Sequence, residues 1–139
     1  MIVYTASLQG ITPTKLSGGF FAGWKPKTPS PETHLRILLG SAKVVLALEG
    51  ETGPVVGFVT AVSDGVLAAY IPFLEVLPSH RGRGIGKELV RRILAELGNL
   101  YMVDLLCDAE LQPYYEKLGM QKSLGMVIRN YARPSGFAK

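Results

Sequence analysis

Between Leu74 and Leu94 the chain reads LEVLPSHRGRGIGKELVRRIL. An apolar, strand-like run passes into a knot of glycine and arginine and then into a helix. There Ile85, Leu89, Ile93 and Leu97 recur at steps of four, joined by Val90 and Leu94, while Lys87, Glu88, Arg91, Arg92 and Glu96 take the other face. That pattern belongs to a helix with one stripe on a core. Its first-turn N–H groups have no intrahelical partners and lie at the positive end of the helix dipole. Arg81-Gly82-Arg83-Gly84-Ile85-Gly86 is therefore the kind of turn that receives a phosphate. Glycine lets the backbone approach an anion and tolerates positive φ, and arginine adds charge-assisted hydrogen bonds. The alternative is a tight turn whose glycines serve only strand-to-helix packing and whose arginines are solvated. The spacing G-x-G-x-G differs from the G-x-G-x-x-G of dinucleotide folds, and the G-K-[ST] of nucleotide loops is absent.

The flanking chain supplies a sheet. KVVLALEG from Lys43, PVVGFVTAVSDG and VLAAYIPFLEVLP read as three successive antiparallel strands, with Asp64-Gly65 as a two-residue hairpin turn. Residues 17–31, SGGFFAGWKPKTPSP, form a loop too apolar for a linker, in which Phe20, Phe21 and Trp24 either plug the core or line a pocket. A short helix follows, capped by Ser30, with Pro31 at its first position and Gly40 at its end. Gly98 stops the long helix, residues 100–107 (LYMVDLLC) return as a strand, residues 111–118 (LQPYYEKL) form a short helix ended by Gly119, and residues 126–132 (MVIRNYA) are a last strand. The order is β, short helices, three strands, helix, strand, helix, strand, an α/β arrangement expected to form one domain over 1–139.

Composition narrows the function. With 139 residues, 47% hydrophobic, the chain can bury one core. It shows no secretory signal and no membrane-spanning apolar run, so a soluble cytoplasmic protein is expected. The single Cys107 excludes an internal disulfide, and His34 and His80 lie too far apart to suggest metal-ligand spacing; no metal is expected. The net charge is +4, but Arg81, Arg83, Lys87, Arg91 and Arg92 concentrate the excess in one place. This favours a compact anionic ligand over a nucleic acid, for which no aromatic stacking platform accompanies the arginines.

Residues 81–86 match the R/Q-x-x-G-x-G/A signature of the GNAT superfamily of acyl-CoA-dependent N-acetyltransferases, and Ile71, Leu74, Val76 and Pro78 mark the strand that leads into it. PYYEKLGM (113–120) resembles that family's second signature, with Tyr115 at its tyrosine and Met120 at its usual phenylalanine. The resemblance covers nearly the whole chain, least clearly the first 40 residues. It implies a mixed, mostly antiparallel twisted sheet of about six to seven strands flanked by about four helices, with the fourth and fifth strands splayed.

It also implies that acetyl-CoA binds with its pyrophosphate on the backbone of Arg81, Gly82, Arg83, Gly84, Ile85 and Gly86. The pantetheine arm would pair with Leu74 and Val76 as a surrogate strand, and the Val76 N–H would donate to the thioester carbonyl. A primary amine would attack directly in a ternary complex. Tyr115 matches the family's general acid, with its neighbour Tyr114 the weaker choice. Glu75 is either the base, its pKa raised by an apolar strand, or a solvated side chain on the far face. Val103 stands where some relatives carry a glutamate, and Asp104 is out of phase with it. Asp108 lies where relatives often place an asparagine against the cofactor, although an anion suits a helix N-cap better. His80 either touches phosphate or is an ordinary loop histidine, and Cys107 is either a small apolar group or, less naturally, an acyl carrier. A homodimer is consistent with the resemblance. The rival readings are a non-catalytic CoA-binding module and a small basic nucleic-acid-binding domain. The acceptor amine has no motif.

Overall fold

The computed structural model describes residues 1–24 and 27–136. Five strands, β1 (Ile2–Thr5), β2 (Lys43–Glu49), β3 (Val55–Ser63), β4 (Ala68–Val76) and β5 (Met102–Asp104), form one sheet in chain order. The first three junctions are antiparallel and β4 runs parallel to β5. Three α-helices accompany it: α1 (Pro31–Gly40), α2 (Ile85–Glu96) and α3 (Gln112–Glu116), together with three short 3-10 turns.

The central strands are buried on both faces, which explains why β2 and β3 read as continuous apolar runs instead of alternating ones. α2 covers one face. Ile85, Leu89, Val90 and Ile93 are at most 2% exposed, each burial contributing roughly 1.5–3 kcal/mol relative to solvent. Leu89 and Ile85 press so close to Gly57 that an added Cβ would meet them at 3.1 and 3.3 Å. The adjacent Phe58 points to the opposite face, where it meets the rings of Phe20, Phe21 and His34.

The expected cap of α1 forms: Ser30 Oγ accepts from the Thr33 N–H at 3.1 Å, and Pro31 is the first helical residue. Other expectations need correction. Among the described residues the sheet has five strands, not six or seven, and there are three α-helices, not four. Residues 126–132 form no strand: 126–130 have no regular structure and 131–132 lie in a turn. The β3–β4 connection is longer than a two-residue turn: pairing closes at Ser63↔Ala69, and Asp64 Oδ1 accepts from the N–H groups of Val66, Leu67 and Ala68. Within the loop at 17–31, Lys25 and Pro26 lie outside the described residues. The strand expected over 100–107 narrows to Met102–Asp104, for a reason located in β4.

Thr60 pairs with Phe73 and Val62 with Tyr70. Ile71 and Pro72 together therefore face Ala61, forming a β-bulge at a residue with no N–H to donate. A bulge bends its strand. β4 pairs with β5 only from Ala68 to Tyr70 and stops where the bulge begins. Beyond it, residues 71–76 and 105–107 have no pairing between them, so the fourth and fifth strands part as the resemblance implied.

Candidate active site

The gap between β4 and β5 has a polar wall. Leu77 N–H donates to Val56 O at 2.8 Å, and Val76 lies opposite Gly57. In an antiparallel ladder this makes Val76↔Gly57 a non-hydrogen-bonded pair, so the N–H and C=O of Val76 point away from β3 and toward the gap. Leu74, two residues back in the same register, does likewise. The Val76 carbonyl is met by Arg81 Nε at 3.0 Å. Arg81 thus braces the end of the strand.

Beyond Val76 the chain turns through Pro78–His80 into the glycine knot. Gly82 and Gly84 adopt φ of +76° and +79°, which disfavour any other residue, and a Cβ on either would meet nothing within 4 Å. The mouth of α2 is consequently open. Gly84 is its N-cap, and Glu88 is the first residue to donate back, to Gly84 O at 3.1 Å. The N–H groups of Ile85, Gly86 and Lys87 remain directed outward. These features suit a diphosphate: free donors, the positive dipole end and the exposed side chains of Arg83 and Lys87.

The remaining basic residues are engaged elsewhere. Arg91 and Arg92 both bind Glu88, at 2.5 and 2.7 Å, holding its carboxyl down at about 2. Arg92 also stacks over Tyr4, 4.7 Å from the ring centre. The dense basic run is therefore partly neutralised within its own helix. His80 is held by protein partners: Nε2 lies 2.9 Å from Glu49 Oε1 and Nδ1 2.8 Å from Ser79 Oγ. It ties the start of the knot to the end of β2.

α3 approaches from the α2 side. Tyr114 Oη stands 3.3 Å from where a Cβ of Gly86 would be. Tyr115, its ring 5.1 Å from that of Tyr114, lines a cleft of about 990 Å³ with β5, Cys107 and residues 118–126. Burial chiefly, then Cys107 and Tyr114, push the Tyr115 phenol up to about 12. Burial, with Asp108 and Glu110, also raises the Cys107 thiol, which disfavours a nucleophilic thiolate. Asp108 stands at the N-cap position of the turn before α3, but its side chain makes no capping bond. Val103 is half-buried and Asp104 exposed, as alternation predicts.

Glu75 lies on the opposite face from Val76. Its carboxylate is half-buried and accepts the Phe21 N–H at 3.0 Å (Oε1) and 3.2 Å (Oε2). Burial raises its pKa, opposed by the Phe21 bond and by Arg81. Phe20 and Phe21 are 5% and 1% exposed and belong to the core, whereas Trp24 is 39% exposed at the rim, against Phe21 and Phe73. The structure thus brings Val76, Gly86, Tyr114 and Arg81 together, and joins Glu75 to the aromatic loop across the sheet. Sequence reasoning missed Pro72 and His34. A proline inside an otherwise good strand is a bulge signal. His34 gave none: it is 1% exposed among Phe20, Phe21 and Phe58, and among the described residues neither ring nitrogen has a hydrogen-bond partner.

A family model described as the acetyltransferase (GNAT) family matches residues 15–120. A solved structure of a candidate acetyltransferase from Deinococcus radiodurans R1 is 49% identical, with a TM-score of 0.92 over 99% of this chain and 94% of that one. The chain is 39% identical over 74 residues to GCN5-related N-acetyltransferase 3, chloroplastic, of Arabidopsis thaliana, matching 52% of this chain and 31% of the relative. It is 25% identical over 105 residues to an uncharacterized N-acetyltransferase, ycf52, of Pyropia yezoensis, matching 72% of this chain and 59% of the relative. The chain thus spans about a third and somewhat under two thirds of the length of these two curated relatives. Among the described residues no helix is long and apolar enough to cross a membrane, and no group of His, Cys, Asp and Glu could hold a metal ion.

Proposed function

Because the chain belongs to the GNAT acetyltransferase family, we propose that it moves the acetyl group of acetyl-CoA to a primary amine, by direct attack in a ternary complex, with residues 1–139 acting as one domain. The observation that carries this reading is the open backbone edge of β4 at Leu74 and Val76, running directly into the exposed glycine knot. Acetyl-CoA supplies the activated acyl group and a thiol leaving group.

In this reading residues 81–86 hold the diphosphate through main-chain N–H groups, aided by Arg83. Arg81 acts mainly by fixing the end of β4. Leu74 and Val76 pair with the pantetheine amides, and the Val76 N–H faces the carbonyl oxygen that gains charge as the amine attacks. Such a donor is worth roughly 3–4 kcal/mol of barrier. Asp108 borders the cofactor from the turn before α3.

Glu75 takes the extra proton of the arriving ammonium, and its burial-raised pKa suits that work. As the C–N bond forms and the C–S bond breaks, the second nitrogen proton balances the one gained by the thiol. Tyr115, held near 12, stays protonated at working pH. Since a thiol has an ordinary pKa of roughly 8.5, complete transfer from so weak an acid is uphill. Tyr115 therefore acts chiefly by donating a hydrogen bond to the departing sulfur. The exposed face of Trp24, on the same loop as the Glu75 clasp, favours an acceptor with an apolar portion.

The test is thiol release from acetyl-CoA by purified protein against a panel of amines, with calorimetry of CoA binding. Binding without thiol release from any amine would make this a CoA-binding module, and no binding would remove the cradle itself.

A further inference from the structure

One tight turn brings two unlike groups to the same place. The Trp24 N–H donates to Phe21 O at 3.0 Å, so the residue that clasps Glu75 and the indole beyond it belong to one fixed piece of chain. Phe21 is buried, whereas Trp24 is 39% exposed. The indole meets Phe21 at 83° and Phe73 at 49°, with ring centres 5.5 and 5.8 Å away. Neither neighbour lies parallel to it. An exposed indole set at an angle against a half-buried Phe73 is a surface that a flat apolar group fills.

The sheet fixes how far that surface lies from the proposed base. Phe58 pairs with Glu75 and Thr60 with Phe73, with no register shift between them. Phe73 and Glu75 therefore stand on one face of β4, and Leu74 between them points to the other. That step along the strand is about 7 Å. A nitrogen held at the Glu75 carboxylate and a ring laid beside Phe73 on the indole are thus joined by a linker of about two or three carbons. A single carbon falls short, and a plain alkyl chain reaches the rings without matching their faces.

We propose that the acceptor is a primary amine whose aromatic ring stands about two or three carbons from the nitrogen, with Trp24 and Phe73 holding the ring and Glu75 the amine. The proposal rests on the acyl-transfer reading of this site and names its substrate class. The nitrogen lone pair forms the amide bond as the C–S bond breaks; Glu75 takes the proton of the ammonium, and the second nitrogen proton balances the one gained by the thiol. The products are an N-acetyl arylalkylamine and CoA. A second ammonium over the indole is the competing occupant. It would give up water for no opposite charge, since neither β4 nor residues 17–24 supplies an acid besides Glu75.

Trp24 is the only tryptophan of the chain, so its fluorescence reports a ring beside it without turnover. With CoA present, phenethylamine and phenylpropylamine are expected to change that emission saturably, with benzylamine, hexylamine and diaminopentane binding at least about tenfold more weakly. Thiol release from acetyl-CoA is expected to follow the same order in kcat/KM. Trp24→Ala is expected to act on KM more than on kcat and to shrink the advantage of phenethylamine over hexylamine to within about threefold, and Trp24→Phe to restore most of it, both variants being checked for folding by thermal melts. Emission that does not respond saturably to the aryl amines, or responds equally to hexylamine or diaminopentane, would overturn the proposal. Thiol release with other amines and silent emission would overturn it while leaving acyl transfer intact. Saturable emission without thiol release from any amine would support the ring subsite and remove the acyl-transfer reading.

Discussion

The main-chain N–H of Phe21 donates to both carboxylate oxygens of Glu75, at 3.0 and 3.2 Å, across a separation of 54 residues. Phe21 adopts φ of +63°, a conformation that a side-chain-bearing residue keeps only when its surroundings hold it. Glu75 is thus both a clasp for the aromatic loop and the proposed base, and two substitutions separate the roles. Glu75→Gln keeps an acceptor for Phe21 and loses the titrating group, so kcat is expected to fall about 100-fold with the melting temperature nearly unchanged. Glu75→Ala also leaves a half-buried N–H unpaired, at a cost of about 1–3 kcal/mol. Because burial raises the folded pKa, the unfolded chain ionises first as pH rises above the ordinary carboxylate value, and stability falls through that window. Glu75→Gln is expected to remove that slope. Unchanged turnover in Glu75→Gln would leave the clasp as its only role.

Tyr114 and Tyr115 are neighbours with separable positions. Tyr115 lines the cleft, whereas the Tyr114 hydroxyl sits at the mouth of α2. Tyr115→Phe is expected to lower kcat about 100-fold while leaving CoA affinity within a factor of about two on calorimetry. Tyr114→Phe is expected to do the reverse, weakening CoA binding a few-fold with little change in kcat. With its phenol near 12, Tyr115 contributes no falling alkaline limb below about pH 10. A limb near pH 8 that disappears in Tyr115→Phe would contradict that protonation state.

The glycine knot makes a sharper demand. At Gly84, φ of +79° alone makes alanine cost about 1–2 kcal/mol, since the new Cβ would meet nothing within 4 Å. That cost appears in the melting temperature of the free protein. The same Cβ would project into the open mouth of α2, so CoA affinity is expected to drop at least tenfold by calorimetry. Wild-type affinity in Gly84→Ala would show that the diphosphate lies elsewhere.

What could be read from the sequence was local. The cap at Ser30, the period of α2 and the glycines at positive φ each depend on a few adjacent residues, and each stands where expected. The splay of β4 from β5 followed only from resemblance, although Pro72 marks its cause; the bulge becomes visible once β3 supplies the register. Partners distant in sequence were hidden: Glu75 with Phe21, His80 with Glu49, and Arg91 and Arg92 drawn onto Glu88 rather than turned to a ligand. The segment 126–132 shows the limit most directly. Its composition is that of a strand, but among the described residues it pairs with no other strand.

His34 offers the last prediction, because it is a polar residue in a place without polar partners. Its ring packs 4.2 Å from Phe58, 5.0 Å from Phe21 and 5.2 Å from Phe20, centre to centre. Burial lowers its pKa to about 4. The unfolded chain therefore takes up this proton near the ordinary value of 6.5, while the folded chain resists until about pH 4. Stability is full above 6.5 and declines as pH falls through that window, by about 3 kcal/mol if the whole interval is traversed. Thermal melts from pH 7 to pH 4 are expected to show the decline, and His34→Phe to flatten it. The bulkier ring also removes two unpartnered nitrogens from the core, so its cost at neutral pH reflects packing alone and is expected to stay below about 3 kcal/mol. An identical pH slope in wild type and His34→Phe would mean that the histidine reaches solvent or a proton acceptor in solution, and that the aromatic cluster opens around it.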